Sequence, residues 1–163
     1  MRDFFAKRRV RKQLNEYISP ELVRDALEGR ALDMPKIHSG LIEFIFVFAR
    51  AETAQQLAER VGRVADAGIE REAVVHNLIG PMVVMAFGTL RETQSSGSRQ
   101  QLVSDLQQQF GADIKIVHGA TDGHFGSFGN KNRLAFTFTF PHFDRALAAL
   151  GRLEFGLTEE LTP

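Results

Sequence analysis

Cysteine is absent from this sequence, and charge of either sign is not in excess, since 20 lysines and arginines balance 20 aspartates and glutamates. The lack of cysteine excludes disulfides, thiolate metal sites and a cysteine nucleophile, which fits a reducing cytoplasm. A formal net charge of zero provides no overall positive field. We therefore expect no nucleic-acid partner.

Long apolar runs are also missing. No stretch approaches the roughly 20 residues that cross a bilayer. The longest dense run, residues 41–49, is the length of a strand and contains Glu43. The basic N-terminus lacks the apolar core and the cleavage site of a signal peptide. These features predict a cytoplasmic protein, with membrane association as part of a longer protein as the alternative.

The composition that remains is that of an ordinary globular domain. The chain has 163 residues, of which 44% are hydrophobic and 25% are charged, and this length suits a single domain. We predict a basic helical or linker segment over residues 1–18, one domain over residues 19–156, and a C-terminal tail over residues 157–163.

The N-terminal segment is predicted to contain a basic helix over residues 4–16. Its apolar side chains exceed what an isolated basic helix would expose, which predicts an interaction surface. They are Phe4, Phe5, Val10, Leu14 and Tyr17. The basic run at residues 7–12 is either a solvated helix face or a segment that lies close to an anionic membrane. A further helix is predicted to begin at Ser19, which has the side chain of a helix cap.

From residue 41 onward, apolar periodicity predicts alternating strands and helices. The predicted strands are residues 41–49, 72–79, 82–87, 113–118 and 133–140, with a glycine-rich hairpin at 123–132. The predicted helices are residues 53–66, 99–110 and 141–150. The first six elements have the order βαββαβ. This order predicts an α+β, ferredoxin-like core, in which an antiparallel sheet carries its helices on one face.

Three segments resemble the catalytic domain of the class III adenylate and guanylate cyclases. Residues 17–23 resemble the helix that leads into that domain. Residues 78–88 (LIGPMVVMAFG) resemble its metal-binding hairpin, and residues 126–137 (GSFGNKNRLAFT) resemble its later Gly-x-x-Gly hairpin with the strand that follows. Together with their surroundings these segments span residues 14–155, so the resemblance implies a nucleotide-cyclase-like fold for nearly the whole chain.

The resemblance also implies two metal-binding aspartates, because cyclases of this class use two divalent ions to bind the triphosphate and activate the 3′-hydroxyl. Their positions are occupied by Arg50 and Pro81. Arginine has no lone pair to offer a metal, and proline has no side-chain ligand. We therefore expect no bound metal and no cofactor.

The other catalytic positions that the resemblance implies are altered as well. Asn77 replaces the lysine that recognises the base, and Pro141 replaces the acid that selects the purine. Asp144 replaces the asparagine that orients the ribose, and Ala148 replaces the arginine of the transition state. The sequence therefore predicts a degenerate, catalytically inactive domain.

Two further groups of residues are candidate binding sites. His118, His124 and His142 flank the glycine-rich hairpin, but their spacing matches no known metal-ligand motif, and we interpret them as surface or core histidines. Gly126, Ser127 and Gly129 are candidates for cradling a phosphate. Because a hairpin itself needs glycine, turn geometry is the interpretation that we favour.

The function predicted from these observations is that of a regulatory or protein-interaction module. It would act as a homodimer or through another protein domain, because cyclase domains pair and build their active sites between the partners. The first alternative is a metal-independent sensor of a nucleotide or another small ligand. The second is an enzyme of unrecognised chemistry that uses Glu43, Asp122 or Asp144.

Overall fold

The computed structural model describes residues 37–88, 97–130 and 133–162. The predicted basic segment over residues 1–18, its five apolar side chains and the helix predicted to begin at Ser19 lie outside these ranges. Within them, no helix has the length and apolar character that a transmembrane span requires.

The described residues form a six-stranded sheet and three α-helices. The strands are β1 (His38–Ala49), β2 (Val74–Ile79), β3 (Met82–Phe87), β4 (Ile114–Asn130), β5 (Arg133–Thr139) and β6 (Thr158–Leu161). The helices are α1 (Ala54–Glu70), α2 (Gly97–Phe110) and α3 (Phe143–Arg152), with a short 3-10 helix at Gly111–Asp113. The predicted α+β fold with its βαββαβ core is confirmed, since the strand order β2-β3-β1-β4 is that of a ferredoxin-like sheet.

β1 is the central strand and is buried on both faces, as its continuous apolar run predicts. Ile45 and Val47 face a core that α1 and α2 cover. Phe44 and Phe46 face a second core that α3 covers. The two helices of the βαββαβ core therefore share one face, as predicted, while α3 packs on the opposite face.

α1 begins directly after Thr53, the first residue of the predicted helix, whose hydroxyl caps it by accepting a hydrogen bond from the Gln56 amide at 3.2 Å. The predicted end at residue 66 is wrong, since the helix continues to Glu70. Gly68 is buried against Met85, and an added Cβ would collide with the Met85 sulfur. This glycine serves close packing of the helix on the sheet rather than helix termination.

β4 is much longer than predicted, because the glycine-rich segment after His118 continues the strand. Gly119 lies where an added Cβ would be 2.6 Å from the Leu161 carbonyl oxygen, so the glycine permits close approach of β6. Beyond it, Gly126, Ser127 and Gly129 pair with residues of β5. The predicted hairpin at residues 123–132 is therefore mostly extended strand.

The C-terminal tail predicted over residues 157–163 is also corrected. β6 forms within it and pairs in parallel with residues 116–119 of β4. These four residues are largely polar, so their strand structure depends on the pairing with β4. The domain thus extends to at least Leu161.

Candidate functional site at the end of β1

The end of β1 meets the turn between β2 and β3. The Ala49 amide donates a hydrogen bond to the Pro81 carbonyl at 2.9 Å, and Gly80 supplies the positive φ (55°) that the turn requires. Arg50 follows Ala49 directly. Of the two residues predicted to replace the metal-binding aspartates, Pro81 accepts this hydrogen bond, and Arg50 is one residue along the chain from its donor.

Asp113 is the carboxylate that these residues meet. Its carbonyl accepts a hydrogen bond from the Arg50 amide at 2.9 Å. Its side chain lies 2.8 Å from Arg60 Nη2 and 3.9 Å from Arg50 Nε. Arg60 also donates to the Arg50 carbonyl. We call Asp113, Arg50 and Arg60 the Asp113 group.

An aromatic ring supports this group from the side. The Arg50 guanidinium lies 4.6 Å from the centroid of Phe155, and Lys115 Nζ lies 5.2 Å from the same centroid. Lys115 is itself fixed by a hydrogen bond to the Leu153 carbonyl at 3.1 Å. Cation–π contacts of this kind hold a guanidinium in place without neutralising its charge.

A cavity of about 630 Å³ opens beside the Asp113 group, between the end of β1 and the first turns of α1. Its charged lining consists of Arg50, Arg60, Arg63, Glu52, Glu59 and Asp113. The amino end of α1 carries a partial positive charge that favours anions. Carboxylates in the lining oppose this preference, and one of them, Glu59, accepts a hydrogen bond from Gln55 at 3.1 Å.

The donor set does not fit the pair of divalent ions that cyclase chemistry needs. Arg50 repels a cation, Pro81 offers only its backbone carbonyl, and that carbonyl already accepts from Ala49. Asp113 is engaged by two guanidinium groups. Across residues 37–88, 97–130 and 133–162, no three histidines, aspartates or glutamates are grouped so as to hold a metal ion.

The remaining predicted positions lie outside this cavity. Asn77 is exposed on β2, just after a β-bulge. Asp144 and Ala148 are exposed one turn apart on α3. Pro141 is exposed and precedes α3, which begins at Phe143 rather than at the proline. None of these four residues lines the cavity beside Arg50.

The three histidines are also separated. His118 is buried beneath α2, and burial together with the positive charge of Arg99 lowers its pKa. His124 is exposed and lies 2.9 Å from the Ser39 hydroxyl. His142 precedes α3 with a left-handed backbone (φ 63°).

Sequence reasoning missed a buried ionic group centred on Arg99, at the start of α2. Arg99 donates to Glu160 at 2.7 Å, and its Nε lies 3.8 Å from the Glu43 carboxylate. Burial raises the pKa of Glu43, and the charge of Arg99 opposes this shift. A glutamate inside the apolar run of β1 was the available signal. We call Arg99, Glu43 and Glu160 the Arg99 group.

Solved structures of nucleotide cyclases share this architecture. The adenylyl cyclase CyaB from P. aeruginosa is 14% identical, with a TM-score of 0.60 over 77% of this chain and 78% of that chain. A bacterial light-regulated adenylyl cyclase is 11% identical, with a TM-score of 0.66 over 90% of this chain and 50% of that one. A dimeric guanylyl cyclase domain from the RhoGC fusion protein of Blastocladiella emersonii is 9% identical, with a TM-score of 0.62 over 78% and 82%.

This chain has the fold of a class III nucleotide cyclase catalytic domain. No protein-family model matches the sequence, and neither does any curated protein. At identities of 9–14%, the likeness establishes the fold, and function has to be argued from the site.

Proposed function

We propose that this cyclase-fold domain is catalytically inactive and acts as a regulatory or protein-interaction module. The observation that carries the proposal is the hydrogen bond from the Ala49 amide to the Pro81 carbonyl, which holds the β2–β3 turn against the end of β1 one residue before Arg50. Two aspartates at these positions would form one metal site. Arg50 and Pro81 cannot form such a site, because neither side chain offers a lone pair to a metal ion.

The size of the electrostatic change makes residual metal binding unfavourable. Two unit charges at 4 Å interact by about 4 kcal/mol near a protein surface. Replacing a carboxylate by Arg50 turns that attraction for a cation into repulsion. Recruiting Asp113 instead would require two ion pairs to be broken.

The direct test is a cyclase assay on the full chain with ATP or GTP and Mn²⁺. We expect no cyclic nucleotide above a protein-free blank. Product that depends on metal and copurifies with the protein through a further column would contradict the proposal.

Exposed apolar side chains support an interaction role. Leu78 and Ile79 are 43% and 55% exposed on β2, which is an outer strand of the sheet. Leu147 is 40% exposed on α3, next to Ala148. Outer strands and exposed apolar residues are common in protein interfaces. The RhoGC domain, which has the same fold, forms a non-canonical dimer in one crystal structure, whereas a double mutant of that domain is monomeric in another.

We therefore propose a homodimer, with another protein domain as the alternative partner. Light scattering on the full chain across a range of concentrations should show a mass that rises toward twice that of the monomer. An Ile79→Lys variant should stay monomeric if β2 lies in the interface. Leu157→Lys, at an exposed apolar residue outside β2 (52%), is its control and should still dimerise. A monomeric mass at every concentration would reject the homodimer.

A second candidate function is metal-independent binding of an anionic ligand such as a nucleotide. It is favoured by Arg50, Arg60 and Arg63 in the cavity at the amino end of α1. Titration calorimetry with ATP should then show the same affinity with and without Mg²⁺. An Arg63→Gln variant should weaken binding, whereas Arg152→Gln, at an exposed residue outside the cavity, should not.

A further inference from the structure

The outer edge of β4 changes its pairing partner along its length. Residues 116–119 pair with β6, and residues 124–130 pair with β5. The four residues between them pair with neither strand. A cavity of about 220 Å³ opens at this gap, between the end of β6 and the first turn of α3.

The floor of the cavity is aromatic. The rings of Phe44 and Phe140 stack with centroids 4.6 Å apart and an interplanar angle of 18°. Both residues are buried in the core that α3 covers. The Phe44 ring packs directly against Gly119. A Cβ atom added to Gly119 would lie 2.8 Å from the ring, so only glycine leaves room for it.

The rim of the cavity is polar and basic. Thr121 and Arg145 lie among its lining residues, together with His142. Arg145 is the one lining residue with a permanent charge, it is exposed, and it forms no ion pair with any other described residue. The cavity also adjoins the amino end of α3, whose partial positive charge has the same sign.

We propose that this cavity binds a small planar apolar molecule that carries one carboxylate. The ring system would meet the edges of Phe44 and Phe140, whose faces are stacked on each other, in an edge-to-face arrangement. The carboxylate would pair with the Arg145 guanidinium, which presents donors in a planar fork. Pockets for drug-sized ligands occupy roughly 300–1,000 Å³, so a cavity of about 220 Å³ limits the ligand to one or two rings.

The proposed site shares no lining residue with the cavity beside the Asp113 group, although it includes Pro141, the position that the cyclase resemblance assigns to purine selection. The proposal therefore does not depend on whether nucleotides bind at the end of β1. It gives the domain a means of sensing a metabolite of a different chemical class.

The test uses the full chain and two matched probes, 2-naphthoate and the neutral 2-naphthalenemethanol, titrated by ligand-observed NMR. We expect naphthoate to bind more tightly than the alcohol. Arg145→Gln should weaken naphthoate binding about tenfold, the effect of losing one charge-assisted hydrogen bond, and should leave the alcohol unchanged. Arg152→Gln, at the other end of the same helix, should change neither.

A second variant tests the floor rather than the charge. Thr121→Trp places a large side chain in the cavity, so it should abolish binding of both probes while circular dichroism shows an intact fold. Failure of naphthoate to bind at millimolar concentration would overturn the proposal. Equal affinity for wild type and Arg145→Gln would overturn it as well, and that comparison remains valid if Thr121→Trp does not fold.

Discussion

Two groups of ion pairs lie beside β1, and they differ in burial. In the Asp113 group the paired side chains of Arg60 and Asp113 are 23% and 46% exposed. In the Arg99 group those of Arg99 and Glu43 are 6% and 4% exposed, while Glu160, the third member, is 50% exposed. Exposed pairs are screened by water and contribute little stability. Buried pairs are costly to form and still more costly to break.

The difference separates function from folding. Side chains of the Asp113 group can exchange their partners for a ligand at small cost, which suits a binding cavity. Those of the Arg99 group hold α2, β1 and β6 together, since one residue comes from each element. The same pairing chemistry therefore contributes to a site in one place and to the domain core in the other.

The largest effect is expected from Arg99→Leu. This change leaves Glu43 buried without its counter-ion, which should lower the free energy of unfolding by about 3–5 kcal/mol. Urea unfolding followed by circular dichroism measures it. The double variant Glu43→Leu/Arg99→Leu should recover most of the loss, because no unpaired buried charge remains. A double variant no more stable than Arg99→Leu would show that packing, rather than charge, is responsible.

A smaller, pH-dependent effect is expected from Glu43→Gln. Burial raises the pKa of Glu43 above its usual 4.5. The contribution of Glu43 to stability is therefore complete below pH 4.5 and is lost as the pH rises through the folded-state pKa, by about 1.4 kcal/mol per unit of pKa shift. Glutamine does not ionise, so the variant should gain stability relative to wild type across this rise.

His118 provides an internal control for that measurement. Its pKa is lowered, so its contribution is complete above its usual 6.5 and is lost as the pH falls. This loss is present in both proteins and should cancel in their difference. A difference in unfolding free energy between Glu43→Gln and wild type that stays constant from pH 4.5 to pH 8 would contradict the shift at Glu43.

In the exposed group, Asp113→Asn should have a modest effect. Exposed pairs are each worth about 0.2–1 kcal/mol, and the Asp113 carbonyl still accepts from the Arg50 amide. Salt sharpens the contrast, because the Debye length falls to about 3 Å at 1 M. The loss of unfolding free energy in Asp113→Asn should therefore vanish in 1 M NaCl, whereas the loss in Arg99→Leu should persist. If Asp113→Asn lowered the free energy of unfolding as much as Arg99→Leu does, the exposed and the buried group would contribute equally to stability.

The same contrast explains which features the sequence could predict. β1 and α1 were predictable because their apolar patterns and the cap at Thr53 are local. β6 was not, since Thr158–Leu161 is short and polar and becomes a strand only through its pairing with β4. The assignment of Arg50 and Pro81 to the two metal positions comes from the cyclase resemblance and stays a prediction. The ion pair between Arg99 and Glu43 was not predicted, because nothing in the sequence around Arg99 indicates that Glu43 will lie next to it in the fold.

The smallest effect on stability is expected from Pro81→Asp, which also tests the account of the site. Proline reduces the entropy of the unfolded chain by an amount worth about 0.4–1 kcal/mol, so the loss should not exceed this. The hydrogen bond from Ala49 uses the backbone carbonyl of residue 81 and should survive. Because Arg50 remains beside the new carboxylate, calorimetry should detect no binding of Mn²⁺, and Pro81→Asn controls for the change in backbone.

The double variant Arg50→Asp/Pro81→Asp places two carboxylates side by side and should bind Mn²⁺ measurably. If Pro81→Asp alone bound the ion, the repulsion assigned to Arg50 would be wrong, and the case for an inactive site would lose its physical basis.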